Sequence, residues 1–163
     1  MTVLTARPLE RTAFAPFGQV LAHQPGDPLR NNFAAALVSD RAGARPNLRV
    51  QRTAPTALPL TVRVIERHRH SSQTFAPLSG SPYLVVVFPS DGQGAPRLQD
   101  GQAFIARGDQ AVNYDRDVWH TGFAALGEGG VFLMLRWDDG TPGDEEFLPL
   151  ITPLSITADQ AAI

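Results

Sequence analysis

Apolar residues along the chain fall in short runs separated by turn-forming residues. Leu60–Ile65 leads into the polar stretch Glu66–His70, Tyr83–Phe88 is an unbroken YLVVVF, Ala103–Ala106 centres on Phe104-Ile105, and Gly130–Trp137 reads GVFLMLRW. Runs of this length between turn residues predict strands rather than helices. Turns such as Ser90-Asp91-Gly92 and Asp139-Gly140 divide them, and the spacing predicts a mainly β fold, an antiparallel sandwich or barrel. Helical signals are few: one turn over Thr12–Phe17, and a short helix or strand over Ala34–Ser39. The 14 glycines and 14 prolines are scattered, so they punctuate elements and mark no linker. A chain of 163 residues reads as one domain, with N-terminal strands and a short helix over 1–60, barrel segments over 61–137 and a loosely held tail over 155–163.

Composition narrows the chemistry. Hydrophobic residues make up 43% of the chain and charged residues 18%, the balance of an ordinary globule. A net charge of −2 with both signs interspersed leaves no footprint for nucleic acid or an anionic membrane. No N-terminal apolar run suits a signal peptide and none approaches a membrane span, so the cytoplasm is the expected location. The absence of cysteine removes disulfides, a thiolate metal site and a thiol nucleophile. All 14 basic residues are arginine, which removes Schiff-base catalysis and means that a bound carboxylate would meet a guanidinium fork. Acid–base or metal chemistry must therefore come from four histidines, the carboxylates, or polar groups such as Gln and Tyr. Of the histidines, His23 sits beside Gln24-Pro25-Gly26 and reads as a solvated loop residue.

The chemistry concentrates in two segments. The first is Glu66-Arg67-His68-Arg69-His70-Ser71-Ser72-Gln73. On an extended strand, side chains alternate, so Glu66, His68 and His70 share one face and Arg67 and Arg69 the other. Two imidazoles on one face can converge on a metal inside a barrel, with Gln73 supplying an oxygen or a substrate hydrogen bond. The plain alternative is a surface strand whose His and Arg meet solvent. The second segment runs from Gly108 through Asn113, Tyr114 and Arg116 to Trp119-His120 and adds a third candidate imidazole after a polar turn.

Together these segments resemble the paired histidine motifs of the cupin superfamily. Gln73 stands where the usual acid would be, and Tyr114 and Arg116 stand where a Pro-x-Gly turn would be. The strings ERHxxxxQxFxPL (Glu66 to Leu78), YLVVV (Tyr83 to Val87), VNYxRxVWH (Val112 to His120) and PLxxxAFAPFGQV (Pro8 to Val20) are similar to those of the ureidoglycolate lyase family. The similarity extends from about Pro8 to the GVFLMLRW strand. It frays after Trp137, and Thr121 stands where many relatives have a further His.

The resemblance implies a cupin-type antiparallel β-barrel or jelly roll, a cytoplasmic homodimer, and cleavage of (S)-ureidoglycolate to glyoxylate and urea in allantoin breakdown. It also implies a divalent metal, with nickel favoured. Such an elimination needs a base for the carbinol hydroxyl, an acid for the departing nitrogen and a cation for the carboxylate. The implied metal ligands are His68, His70 and His120, with Gln73 as a fourth ligand or a substrate contact. Glu66 is the implied base if it points inward and a metal-bound hydroxide otherwise, Tyr114 or a water is the proton donor, and Arg116 is the carboxylate cation; Asn113 is a substrate contact or a turn-shaping residue. A metal-free site in which His68 and His120 act as base and acid is the alternative. Other readings are a cupin oxygenase or isomerase and a non-catalytic binder of small carboxylates. The apolar Tyr83–Phe88 strand is a candidate for dimer contact.

Overall fold

The expected succession of short strands is what the chain builds. The computed structural model describes residues 2–159. Twelve strands are formed: β1 (Val3–Pro8), β2 (Gly18–Leu21), β3 (Arg45–Thr53), β4 (Leu60–His68), β5 (Gln73–Pro77), β6 (Tyr83–Phe88), β7 (Gln102–Ala106), β8 (Ala111–Tyr114), β9 (Trp119–Thr121), β10 (Ala124–Ala125), β11 (Gly130–Asp138) and β12 (Glu145–Ala158). The helical signals reduce to a single turn, α1 (Arg11–Phe14), and a 3₁₀ turn at Ala34–Ala36.

The strands form two layers. One sheet runs β10-β6-β7-β1-β12-β4-β9, and β9 pairs with β6 as well, so the sheet closes into a ring. The other is an open sheet, β2-β8-β5-β11-β3. Pairing is antiparallel except at β1, which runs parallel to both β7 and β12.

Each layer has its own core. Ile65, Leu84, Val86, Phe88, Ile105, Trp119, Leu154 and Ile156 fill the ring. Tyr83, Val85, Val87, Phe75, Val112, Tyr114, Phe132 and Met134 fill the space between the ring and the open sheet, with Phe14 and Phe17 from the α1 region. The unbroken YLVVVF run follows from this arrangement. Strand β6 belongs to the wall between the two cores, so both of its faces are buried and all six residues are apolar. It is an interior strand, and the expected role in dimer contact is excluded by its complete burial. Exposed apolar side chains lie instead on the outer face of edge strand β3, at Leu48 and Val50.

One further expectation is corrected, and one strand forms that no apolar run marked. Strand β3 was not legible, because its apolar residues face outward while Asn47, Arg49 and Gln51 lie on the face of inward-pointing Met134 and Phe132. The tail expected to be loose from residue 155 is, as far as Ala158, the last part of β12, which pairs with both β1 and β4. Leu154 and Ile156 are buried in the ring core; residues 160–163 lie outside the described part.

Close packing needs glycine at one point beside the site. At Gly18, opposite Tyr114 in the β2–β8 ladder, φ is +143° and an added Cβ would stand 2.0 Å from the Asn113 carbonyl oxygen. Ile156→Ala is expected to lower the free energy of unfolding by about 2–5 kcal/mol. Ile151→Ala, at a fully exposed position on the same strand, is expected to change it by less than about 0.5 kcal/mol. Urea denaturation of both variants checks this, since a loose C-terminal end would make the two alike.

Candidate active site

The site forms where strand alternation on the ring turns polar side chains toward the open sheet. On β4, Ile65 points into the ring core, so Glu66 and His68 have the opposite direction and face the space between layers. On β9, Trp119 fills the ring and His120 emerges on the other side, directly opposite Glu66 in the β4–β9 ladder. Ligand-capable atoms of Glu66, His68 and His120 all lie within 4.8 Å of one another. The open sheet supplies the facing wall: Gln73 on β5 and Tyr114 on β8 are register partners. The Tyr114 ring stacks on His120 with centroids 4.4 Å apart and planes within 8°.

The hydrogen bonds of His120 show what the pocket is built to hold. Its Nδ1 lies 2.9 Å from the Val118 carbonyl oxygen. Its Nε2 lies 3.1 Å from Gln73 Oε1 and 3.4 Å from Glu66 Oε1. A neutral imidazole carries one hydrogen, so with the Gln73 amide in this orientation one ring nitrogen would face oxygen lone pair to lone pair. The arrangement is satisfied when the ring carries both protons or when a cation stands at Nε2. Two imidazoles, a carboxylate and an amide oxygen form a donor set suited to a late divalent transition metal.

Electrostatics point the same way. Burial pushes the Glu66 carboxyl up, but its hydrogen bond with His120 and the positive fields of His120, His68 and Arg136 together hold it below the usual glutamate range. Burial and the neighbouring His120 lower His68, against the raising effect of Asp144, Glu66 and Glu145. At neutral pH the pocket therefore presents an ionised carboxylate and a neutral imidazole, the protonation states in which both groups bind metals. Burial and the Glu66 charge push the Tyr114 phenol well up, so it is a proton donor throughout the neutral range.

The structure brings together Glu66, His68, Gln73, Tyr114 and His120 and separates the remaining expected site residues. Strand β4 ends at His68 and the chain bends at Arg69-His70, so alternation no longer carries His70 to the cluster face. Its Nδ1 instead pairs with Asp40 Oδ1 at 2.8 Å, half-exposed, and the cluster that could hold a metal ion is Glu66, His68 and His120, without the expected His70. Arg116 binds the other oxygen of the same Asp40 carboxylate and is also half-exposed. Asn113 points to the opposite side of β8 from Tyr114. Its oxygen accepts a 2.7 Å bond from Thr74, and its nitrogen donates to Gln19 and the Ala36 carbonyl, so it locks the outer face of the sheet rather than contacting a ligand.

Three neighbours escaped the sequence reading. Asp144, 4% exposed, lies 3.7 Å from His68 Nδ1 and leaves its Oδ2 without a hydrogen bond. It is placed to orient that imidazole. Glu145 is the register partner of His68. Arg136 shares the inward face of β11 with Phe132 and Met134. The period-two spacing of Phe132, Met134 and Arg136 was a usable signal for Arg136; nothing in the loop sequence TPGDEE marks Asp144 as buried.

A sequence model described as ureidoglycolate lyase matches residues 1–150 of this chain. A protein of Rhizobium etli (strain CIAT 652) named ureidoglycolate lyase is 42% identical over 152 residues, covering 88% of this chain and 90% of its own. One of Burkholderia mallei (strain NCTC 10229) with the same name is 38% identical over 159 residues, covering 91% of each. Among solved structures, a 3'-monoepimerase from Streptomyces bikiniensis in complex with dTDP-quinovose aligns with a TM-score of 0.48 and 15% identity, over 86% of this chain and 71% of that one. That likeness is too distant to bear on function.

Two outcomes follow from the site's geometry. Calorimetric titration with Ni²⁺ is expected to show binding that is lost in His68→Ala, His120→Ala and Glu66→Gln and kept in His70→Ala; loss in His70→Ala together with His68→Ala and His120→Ala, with binding kept in Glu66→Gln, would restore the ligand set expected from sequence. In metal-free protein, the folded-state values of both His68 and Glu66 are depressed, so the unfolded chain takes up protons first as pH falls. Stability is then fully present above the unfolded histidine value of about 6.5. It declines as pH drops through the lowered His68 value and again through that of Glu66. Urea unfolding between pH 8 and pH 4 checks this, and His68→Asn is expected to flatten the first part of the decline.

Proposed function

The chain belongs to the ureidoglycolate lyase family, and on that premise we propose that it cleaves (S)-ureidoglycolate to glyoxylate and urea at the Glu66–His68–His120 cluster. The single observation that carries the reading is that an ionised carboxylate, two imidazoles and a protonated phenol cluster in the space between the two layers. The reaction needs those parts. The substrate carbon bears a hydroxyl, a carboxylate and the ureido nitrogen. The hydroxyl loses its proton, its oxygen forms the aldehyde C=O, the carbon–nitrogen bond breaks, and the nitrogen leaves as urea once protonated.

Glu66 is the acceptor for the hydroxyl proton. Its contact with His120 keeps it ionised at neutral pH, and the imidazole supports it as it changes charge. Tyr114, held neutral by burial, donates to the departing nitrogen, and stacking on His120 holds its ring beside the carboxylate. The Gln73 amide, anchored between His120 and the Met134 sulfur, fixes the wall opposite Glu66. A divalent metal of the nickel class, held by Glu66, His68 and His120 with Gln73, would supply positive charge to a developing alkoxide. A second, metal-free reading has His68 and His120 as base and acid in place of Glu66 and Tyr114, favoured by the contact of His120 with Glu66. The family premise also supports a cytoplasmic homodimer, for which the outward-facing Leu48 and Val50 of β3 offer an apolar surface.

Fresh (S)-ureidoglycolate incubated with the purified protein is expected to yield equal amounts of glyoxylate and urea, above the background set by His120→Ala. Glu66→Gln is expected to lower kcat by about 100-fold or more. Full activity after chelation would keep the lyase and move the histidines from metal binding to proton transfer, whereas no rate above the His120→Ala background would sink the lyase reading.

A further inference from the structure

The elimination needs a cation for the substrate carboxylate, and the half-exposed Arg116 is tied to Asp40 outside the cluster. The substrate's carboxylate and hydroxyl are on the same carbon. The guanidinium that takes the one must therefore stand beside the base that takes the proton of the other. Arg136 faces the same space between the layers from the open sheet. It shares the inward face of β11 with Met134, whose sulfur lies 3.6 Å from Gln73 Nε2, and its positive field reaches Glu66. Its side chain is 18% exposed, so it is held in place yet reachable.

Its fork is already in use for carboxylates. Nη1 is in close contact with Glu145 Oε1, and Nη2 lies 3.3 Å from Asp138 Oδ2, which Asn47 also binds at 3.0 Å. Asp138 continues the same strand as Arg136 and is fixed by Asn47 across the ladder. Glu145 is different. As the register partner of His68 it projects from β12 on the face that carries the cluster, and its carboxylate is 31% exposed. Its carboxylate thus links Arg136 to the strand face that carries His68.

We propose that Arg136 is the residue that binds the substrate carboxylate, and that Glu145 occupies its fork until the substrate displaces it. The inference rests on the lyase reading for the identity of the carboxylate. Planar two-point recognition is the property that distinguishes guanidinium from a point charge. Substrate entry would then exchange one carboxylate for another at Arg136, leaving the charge balance around Glu66 nearly unchanged. Glu145, once released, has solvent on its open side.

Glyoxylate binding measured by calorimetry tests this separately from turnover. Arg136→Gln is expected to weaken glyoxylate and raise KM for ureidoglycolate by about tenfold or more, the loss of one charge-assisted pair, while Arg116→Gln stays within about twofold of wild type. Glu145→Gln, which removes the competing charge and leaves Arg136 in place, is expected to bind glyoxylate more tightly than wild type. That gain cannot come from a variant that is merely misfolded. Unchanged affinity in both Arg136→Gln and Glu145→Gln, a loss carried by Arg116→Gln or Arg49→Gln instead, or a wild-type protein that binds no glyoxylate would overturn the assignment. A wild type that binds glyoxylate through Arg136 but releases no urea would leave the assignment standing and remove the lyase reading.

Discussion

A carboxylate and two imidazoles share a space less than 5 Å across inside the protein, and the rest of the structure is arranged around that constraint. An unpaired charge removed from water is costly, and a buried group changes its protonation state unless neighbours compensate. Here the compensation is mutual. Glu66 keeps its charge against burial through its hydrogen bond with His120 and the field of Arg136, and His68 is neutral because burial and His120 outweigh the nearby carboxylates. The result is a pocket in chemically useful protonation states at neutral pH, with a nitrogen of His120 that calls for a proton or a metal.

Holding those groups requires strands that serve two cores at once. The residues alternating with the cluster, Ile65 and Arg67 on β4 and Trp119 on β9, are buried on the ring side. Arg67 is only 5% exposed, yet it is fully engaged. It donates to Glu146 on β12 and to the Gly94 carbonyl, pairs with Asp117 in the turn before β9, and lies 4.3 Å from the Trp119 ring centroid. Trp119 donates to the same Gly94 carbonyl. One guanidinium thus joins both strands that carry the cluster to two flanking segments. A buried ion is tolerable on these terms, because its donors and charge are matched by fixed partners.

The family words in the sequence can be read through this arrangement. In the string beginning ERH, Glu66 and His68 serve the site and Arg67 clamps the ring end. In VNYxRxVWH, Asn113 locks the outer sheet face, Tyr114 and His120 build the pocket, Arg116 joins Asp40 at the rim, and Trp119 fills the ring. Such strings are specific because adjacent residues answer to different surroundings. The strand Gly130–Trp137 carries a weaker word, and the guanidinium of Arg136 went unnoticed within it.

Much of the protein was determined by local pattern. The short apolar runs dictated a mainly β fold, and the YLVVVF run is wholly apolar because its strand lies between two cores. The alternation over Glu66-Arg67-His68 set Glu66 and His68 on one face. The absence of Cys and Lys confined the chemistry to imidazole, carboxylate, amide and phenol. Only the tertiary structure decided where alternation stops. The bend after His68 sent His70 to Asp40, and parity on β8 turned Asn113 away from Tyr114. The pairing of β12 with β4 brought Glu145 and the preceding loop residue Asp144 to the cluster from far along the chain. Period-two alternation is a property of a few neighbouring residues and can be read from them. Which strand end meets which loop depends on long-range pairing, whose energy comes from contacts that no short stretch of sequence contains.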